Sequence, residues 1–241
     1  MLNAQSYLET LVLLNDISRV LGGSYVRQEN VYGALLDRLK QNKIILERET
    51  FAYEARIRMS ERGRWLSLYS GKRFYLGDPL IEDIDIVDIA HALALICRFG
   101  GHYTKHYSVA QHSLLVSKYC PKPFKLHGLM HDCAEGLTGG DLPSPLKKTL
   151  NDLSNGAYAA IEDRALNIVY TKFGVKPTEE SDIVVKQWDM SVLAREIIDL
   201  TKQGSVPGFI IKEPPIPETI VPMPWGMAEK AFLDEFYRLT K

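Results

Sequence analysis

Apolar residues recur at helical spacing along most of this chain. Leu8, Leu11, Leu14, Ile17 and Val20 predict an amphipathic helix over Tyr7–Leu21, which Gly22-Gly23 ends. Val31–Leu39 reads as a second helix. Lys43–Met59 is rich in β-branched and aromatic residues and fits either a hairpin or a plain helical extension. Gly63–Pro79 is turn-rich and marks a boundary near residue 65. Beyond it the pattern predicts helices over Asp85–Phe99, closed by Gly100-Gly101, then Val109–Tyr119, stopped by Pro121 and Pro123, and Lys125–Gly136. Asp141–Pro145 holds two prolines and must be a loop or a helix entry. Asn155–Phe173, Ser181–Thr201 and Met227–Leu239 read as helices, and the six prolines of Gly204–Pro224 predict an extended surface segment. The expected fold class is all-α: a helical bundle over residues 66–241, preceded by an N-terminal extension over residues 1–65.

Composition narrows the function without choosing it. With 46% hydrophobic and 24% charged residues the chain has the make-up of an ordinary globular protein. A formal net charge of −1 gives no global field to recruit nucleic acid or an anionic membrane. The N-terminal apolar stretch is broken by Glu9 and Asp16 and lacks a basic start, so no signal peptide is expected, and no apolar run is long enough to span a bilayer. Cys97, Cys120 and Cys133 form no C-x-x-C pair. They read as small buried hydrophobes in a reducing cytoplasm.

The chemistry is concentrated. All 6 histidines lie between His91 and His131. On a helix, His127, His131 and Glu135 would share a face, with Asp132 about 100° round from His131. A His-Asp pair alone occurs often by chance and reads as a buried helix pair with Asp132 capping or salt-bridged. Here it comes with His112 on the preceding helix and with Glu135 three residues on. Imidazoles and carboxylates together suit a hard or borderline divalent metal that keeps a position open for water. A zinc-protease helix is excluded, because Gly128 stands where His-Glu-x-x-His needs its base. Walker and Gly-x-Ser-x-Gly loops are absent. His127 reads as packing and His91 as either core or pocket. His102, Lys105 and His106 read equally as phosphate contacts or as solvated loop residues. Lys72-Arg73 beside Phe74-Tyr75 reads as a basic strand edge.

The ordered set CRFGGH, YSVAQHS, HGLMHDCAE, TGGDLPSPLK and QWDMSVLAREIIDL resembles the HD-domain metal-dependent phosphohydrolases, and within them the 5′-deoxynucleotidase and phage deoxynucleotide-hydrolase branch. The resemblance spans about Leu66 to Leu200. It implies one divalent ion (Mn, Co, Mg, Zn or Fe) held by His112, His131, Asp132 and Asp189, the last selected by the frame from Trp188 to Glu196. It implies acid–base roles for Glu135 and Asp141, the latter displaced by the extra glycine of Gly139-Gly140. It further implies a phosphate on Arg98 and a sugar against Phe99; Lys105, from its place in the loop before the ligand helix, is a candidate second contact. The expected activity is hydrolysis of a nucleotide phosphate, deoxynucleotides preferred. The alternatives are dNTP triphosphohydrolysis, a phosphodiesterase acting on a cyclic nucleotide or a nucleic-acid end, and a non-catalytic nucleotide sensor. The expected partner is a small-molecule nucleotide, with no membrane, no nucleic acid and room for a homo-oligomer.

Overall fold

Asp85 opens the first helix by accepting a hydrogen bond from the Val87 amide at 3.0 Å. The computed structural model describes residues 62–210 and 212–241. The expectations for Tyr7–Leu21, Val31–Leu39 and Lys43–Met59 fall outside those residues. A short antiparallel hairpin comes first, β1 (Trp65–Ser67) against β2 (Arg73–Tyr75), with Leu66 opposite Phe74. The rest is mostly helical: α1 (Ile86–Leu95), α2 (Val109–Tyr119), α3 (Lys125–Met130), the single turn α4 (Glu135–Thr138), α5 (Ser144–Ser154), α6 (Ala157–Phe173), α7 (Glu179–Leu200) and α8 (Trp225–Leu239). None of the described helices is long and apolar enough to cross a membrane.

Several elements depart from their expected ends, α7 running Glu179–Leu200 and α8 starting at Trp225, and the changes at α1 and at α3–α4 shape the site. Helix α1 stops at Leu95 rather than Phe99. The backbone turns extended there, because Cys97 pairs with Ser108 as an isolated bridge and Arg98 N–H bonds the Tyr107 carbonyl at 2.9 Å. Arg98–Gly101 then forms a tight turn in which Phe99 (φ 61°) and Gly100 (φ 59°) are left-handed. The expected helix over Lys125–Gly136 is two pieces. Between α3 and α4 the bonds run from Cys133 N–H to Met130 O at 3.1 Å and from Glu135 N–H to Asp132 O at 3.0 Å, a three-residue repeat. The i, i+4 stacking of His131 on Glu135 is therefore lost. Helix α6 starts at Ala157 rather than Asn155, because Asn155 and Gly156 are both left-handed at the turn out of α5. Asp141–Pro145 is a helix entry as expected, with a proline in the first turn of α5.

Two apolar clusters hold the bundle. Ile89, Leu93, Leu129, Met130, Val169 and Phe232 belong to one, and Tyr107, Val116, Val185, Val192, Leu200 and Ile216 to the other. Helix α2 contributes Val109 and Ala110 to the first and Val116 to the second. Its approach to α3 is close, since a Cβ on Gly128 would lie 2.8 Å from Cys120 Sγ and 3.3 Å from Ser117 Cα. The segment Gly204–Pro224 is irregular but is more than surface. Ile216 and Ile220 are buried. Asp199 Oδ2 accepts from Ile220 N–H at 2.7 Å, and Gln111 exchanges bonds with Val221 O and Met223 N–H, both at 2.9 Å.

Candidate metal centre

His112 sits mid-helix on α2 with none of its surface exposed. Its Nδ1 lies 2.6 Å from Glu196 Oε1, a carboxylate that can only accept, so Nδ1 carries the proton and Nε2 offers its lone pair. That Nε2 faces Asp189 Oδ1 at 3.2 Å and Asp132 Oδ2 at 3.6 Å. His131, in the tight turn after α3, donates Nδ1–H to the Gly128 carbonyl at 2.8 Å, and its Nε2 lies 3.2 Å from Asp132 Oδ2. Both Nε2 atoms are buried and without a hydrogen-bond partner. In their neutral forms both imidazoles present acceptor nitrogens to acceptor oxygens, an arrangement that calls for a cation or a proton between them.

Such a group fits a cation. Ligand atoms of His112, His131 and Asp132 lie within 4.8 Å of one another, and Asp189 adds its Oδ1 on the His112 side while its Oδ2 takes Lys186 Nζ at 2.7 Å. Of the acids on α7 near the expected position, Asp182 lies instead 3.6 Å from His127 Nε2, and Asp199 accepts from Ile220 N–H. The electrostatics agree. Burial and the Arg98 charge oppose protonation of His112, yet Glu196 and Asp189 outweigh them and raise it to about 9. Against the cost of burial, the neighbouring histidines hold Asp132 and Asp189 well below the usual carboxylate range. The pocket favours added positive charge at His112 Nε2.

Around this centre the structure gathers most of the remaining expected residues. Arg98 is 9% exposed and lies among carboxylates: Nη1 is 3.3 Å from Asp132 Oδ2 and 4.0 Å from Asp141 Oδ2, and Nε is 3.3 Å from Glu196 Oε2. It lies in the tight turn after α1, beyond the helix end, and its guanidinium is held by these carboxylates. Glu135 opens α4. Its Oε1 takes Lys147 Nζ at 3.2 Å, while its Oε2 is buried and unpartnered. Burial, then the charges of Asp132 and Asp141, push its carboxyl up to about 8. Asp141 Oδ2 accepts from the Phe99 amide at 2.9 Å, which ties the loop after α4 to the left-handed turn. The Phe99 ring stacks on Tyr103 with centroids 5.0 Å apart.

Other expectations part from the centre. Lys105 and His102 are exposed on their loop, and no hydrogen bond or ion pair joins Lys105 to the cluster among the described residues. His106 bonds the Leu95 carbonyl at 3.2 Å. His91 stacks on Tyr69 and meets Glu229 at 3.2 Å, and His127 packs by Tyr170 and Ser181. Three residues escaped the sequence reading. Glu196, named in sequence only as the end of the frame that selects Asp189, stands at i+7 from it on the face of α7 that carries buried Val185, Val192 and Leu200; a second acid on that stripe was the available signal for a role of its own. Lys147 and Lys186 had no local signal. A cleft of about 390 Å³ opens beside the centre, walled by His131, Asp132, Asp189, Lys186, Tyr170 and His127.

The fold and site define a helical protein with a buried histidine–carboxylate centre suited to a cation. No family model matches the chain. It is 34% identical over 179 residues to the uncharacterized protein YfdR of Escherichia coli strain K12, covering 73% of this chain and 96% of that protein. A second relative is the uncharacterized protein RCAP_rcc00048 of Rhodobacter capsulatus, 36% identical over 120 residues, which are 46% of this chain and 59% of that protein. The chain belongs to the same family as YfdR.

Proposed function

We propose that this protein is an HD-type metal-dependent phosphohydrolase acting in the cytoplasm on nucleotides, with deoxynucleotides preferred and one divalent ion as cofactor. The observation that carries the reading is the pair of buried, unpartnered Nε2 atoms of His112 and His131, set against the oxygens of Asp132 and Asp189. The resemblance of the same motifs to the HD phosphohydrolases supports it. The cleft of about 390 Å³ reaches His131, Asp132 and Asp189, but Arg98, Phe99, Glu135 and Asp141 do not line it.

Bound there, a divalent ion supplies Lewis acidity and a more acidic water. The chain's own residues do the rest. Arg98 presents a guanidinium, already held by Glu196 and Asp132, to a phosphoryl oxygen and neutralises its charge. Glu135 moves the proton at Oε2, the oxygen that Lys147 leaves unengaged. Asp141 holds the Phe99 backbone, and the Phe99 ring, stiffened against Tyr103, supplies the surface for a sugar.

The test is a panel of NMPs, dNMPs, NTPs and dNTPs with Mn²⁺, Co²⁺ and Mg²⁺, reading phosphate, pyrophosphate and triphosphate separately. Phosphate release from dNMPs is expected, abolished by chelator. Triphosphate release would move the reading to dNTP triphosphohydrolysis. Nucleotide binding without turnover under every metal would leave a sensor. Glu135→Ala should lower kcat by about 10²-fold or more while retaining metal.

A further inference from the structure

Glu196 is the most enclosed charge in the molecule's centre, and every bond it makes goes to a residue of the proposed machinery or to the residue against which that machinery packs. Its side chain has no exposed surface. Oε1 receives His112 Nδ1 at 2.6 Å. Oε2 receives both Arg98 Nε at 3.3 Å and Tyr103 Oη at 3.0 Å, and the Tyr103 ring is the one that stacks on Phe99. A buried carboxylate is costly unless its lone pairs are met by donors, and here three donors from two separate segments meet it. The segments are the turn and loop after α1, with Arg98 and Tyr103, and helix α2, with His112.

We propose that Glu196 is a positioning residue that fixes the His112 tautomer and ring for cation binding and, with its other oxygen, clamps Arg98 and Tyr103, so that the cation ligand and the anion-binding arm share one carboxylate. The inference rests on the metal reading above and extends it to a residue outside the ligand set. The geometry distinguishes this role from filling space. An apolar residue at 196 could sit on the same helix face as buried Val192 and Leu200, but it would leave His112 Nδ1, Arg98 Nε and Tyr103 Oη without an acceptor. With Nδ1 unheld, the imidazole can take its other tautomer and present N–H, a donor, where a lone pair is needed.

The experiment is cation binding to the full chain. Chelator-stripped wild type, Glu196→Gln and Glu196→Ala are titrated with Co²⁺, reading affinity by calorimetry and coordination by the visible cobalt absorption. Thermal melts of the stripped proteins report folding. The wild type should bind one Co²⁺. Glu196→Gln should bind about 10- to 100-fold more weakly with an altered absorption band, and Glu196→Ala more weakly still. A merely structural Glu196 would lower the melting temperature and leave both affinity and absorption band unchanged in the folded fraction; that result overturns the proposal. If the wild type binds no Co²⁺, Mn²⁺ or Zn²⁺, the metal reading itself fails, a distinct outcome that takes this inference with it. Should neither substitution at 196 fold, Tyr103→Phe removes one of the three donors with little change in volume. It should weaken Co²⁺ about 2- to 10-fold, and unchanged affinity there counts against the clamp.

Discussion

Lys147 does the work of a residue far more conspicuous in sequence. From α5 it reaches Glu135 Oε1 at 3.2 Å and Glu162 Oε1 at 2.9 Å, and Tyr158 Oη bonds Glu162 at 3.0 Å. Glu162 and Tyr158 thereby hold the ammonium against Glu135 and leave Oε2 as the free oxygen. Lys147→Met should lower kcat by about 10-fold or more with a smaller change in KM, and Lys147→Arg should recover part of it. Steady-state kinetics on the best substrate of the panel measures this, and unchanged kcat in Lys147→Met would remove Lys147 from the acid–base arrangement. At this scale the sequence was informative where a motif carried chemistry in one short stretch. His131, Asp132 and Glu135 were legible as a group. Lys147 and Glu196 were not, because their partners come from other helices and a lysine or glutamate on a helix ordinarily reads as solvated face.

Helix existence was largely legible and helix ends were less so. Val109–Tyr119 matches its expected span, because Ser108 caps its start and Pro121 follows its end. The ends of α1 and α3 were set by tertiary bonds invisible in a periodicity: the Cys97–Ser108 bridge and the tightened turn through Asp132. Two predictions belong here. Gly128, which in sequence only excluded a protease motif, is where α3 meets α2. Gly128→Ala should lower stability by about 1–3 kcal/mol, because the new methyl collides with Cys120 Sγ and with Ser117 backbone. Chemical denaturation of the metal-free protein measures it, and a stability equal to wild type would show that the helices separate freely. At the hairpin's turn Ser70 donates N–H at 2.6 Å and Oγ–H at 2.7 Å to the buried carboxylate of Asp88 on α1. Asp88→Ala should cost about 0.5–1.5 kcal/mol by removing those bonds, since water can reach the exposed Ser70, yet leave Co²⁺ affinity within error of wild type.

For the whole molecule, the centre links stability to solution conditions. A cation that binds only the folded chain should raise the melting temperature, with about 2.7 kcal/mol of stabilisation at a free concentration 100 times Kd, and chelator should reverse it. A melting temperature indifferent to every divalent ion would oppose the metal reading. Acid acts through the same residues. In the metal-free protein, burial opposes ionisation of Glu196, but Arg98 and His112 draw its carboxyl from 4.5 down to about 2. A depressed folded-state value stabilises above the unfolded value and is lost on the way down. Stability should therefore fall as pH drops from about 4.5 toward 2. Melts across that window should show a flatter acid limb for Glu196→Gln than for wild type.

The left-handed turn at Phe99 bears on how any study of Asp141 is interpreted. A bulky residue at positive φ is unfavourable by about 1–2 kcal/mol, and here the Asp141 carboxylate holds the amide in that state. Removing the carboxylate lets the turn relax, and Arg98 stands next to it in the chain. Loss of the proposed activity in Asp141→Ala is thus consistent with two different injuries, a missing proton acceptor or a displaced arginine. Pairing the substitution with Phe99→Gly, and measuring Phe99→Gly alone for the cost of losing the ring, separates them: glycine adopts the turn without help, so a double variant as active as Phe99→Gly would assign Asp141 to architecture, and one far less active would assign it to chemistry.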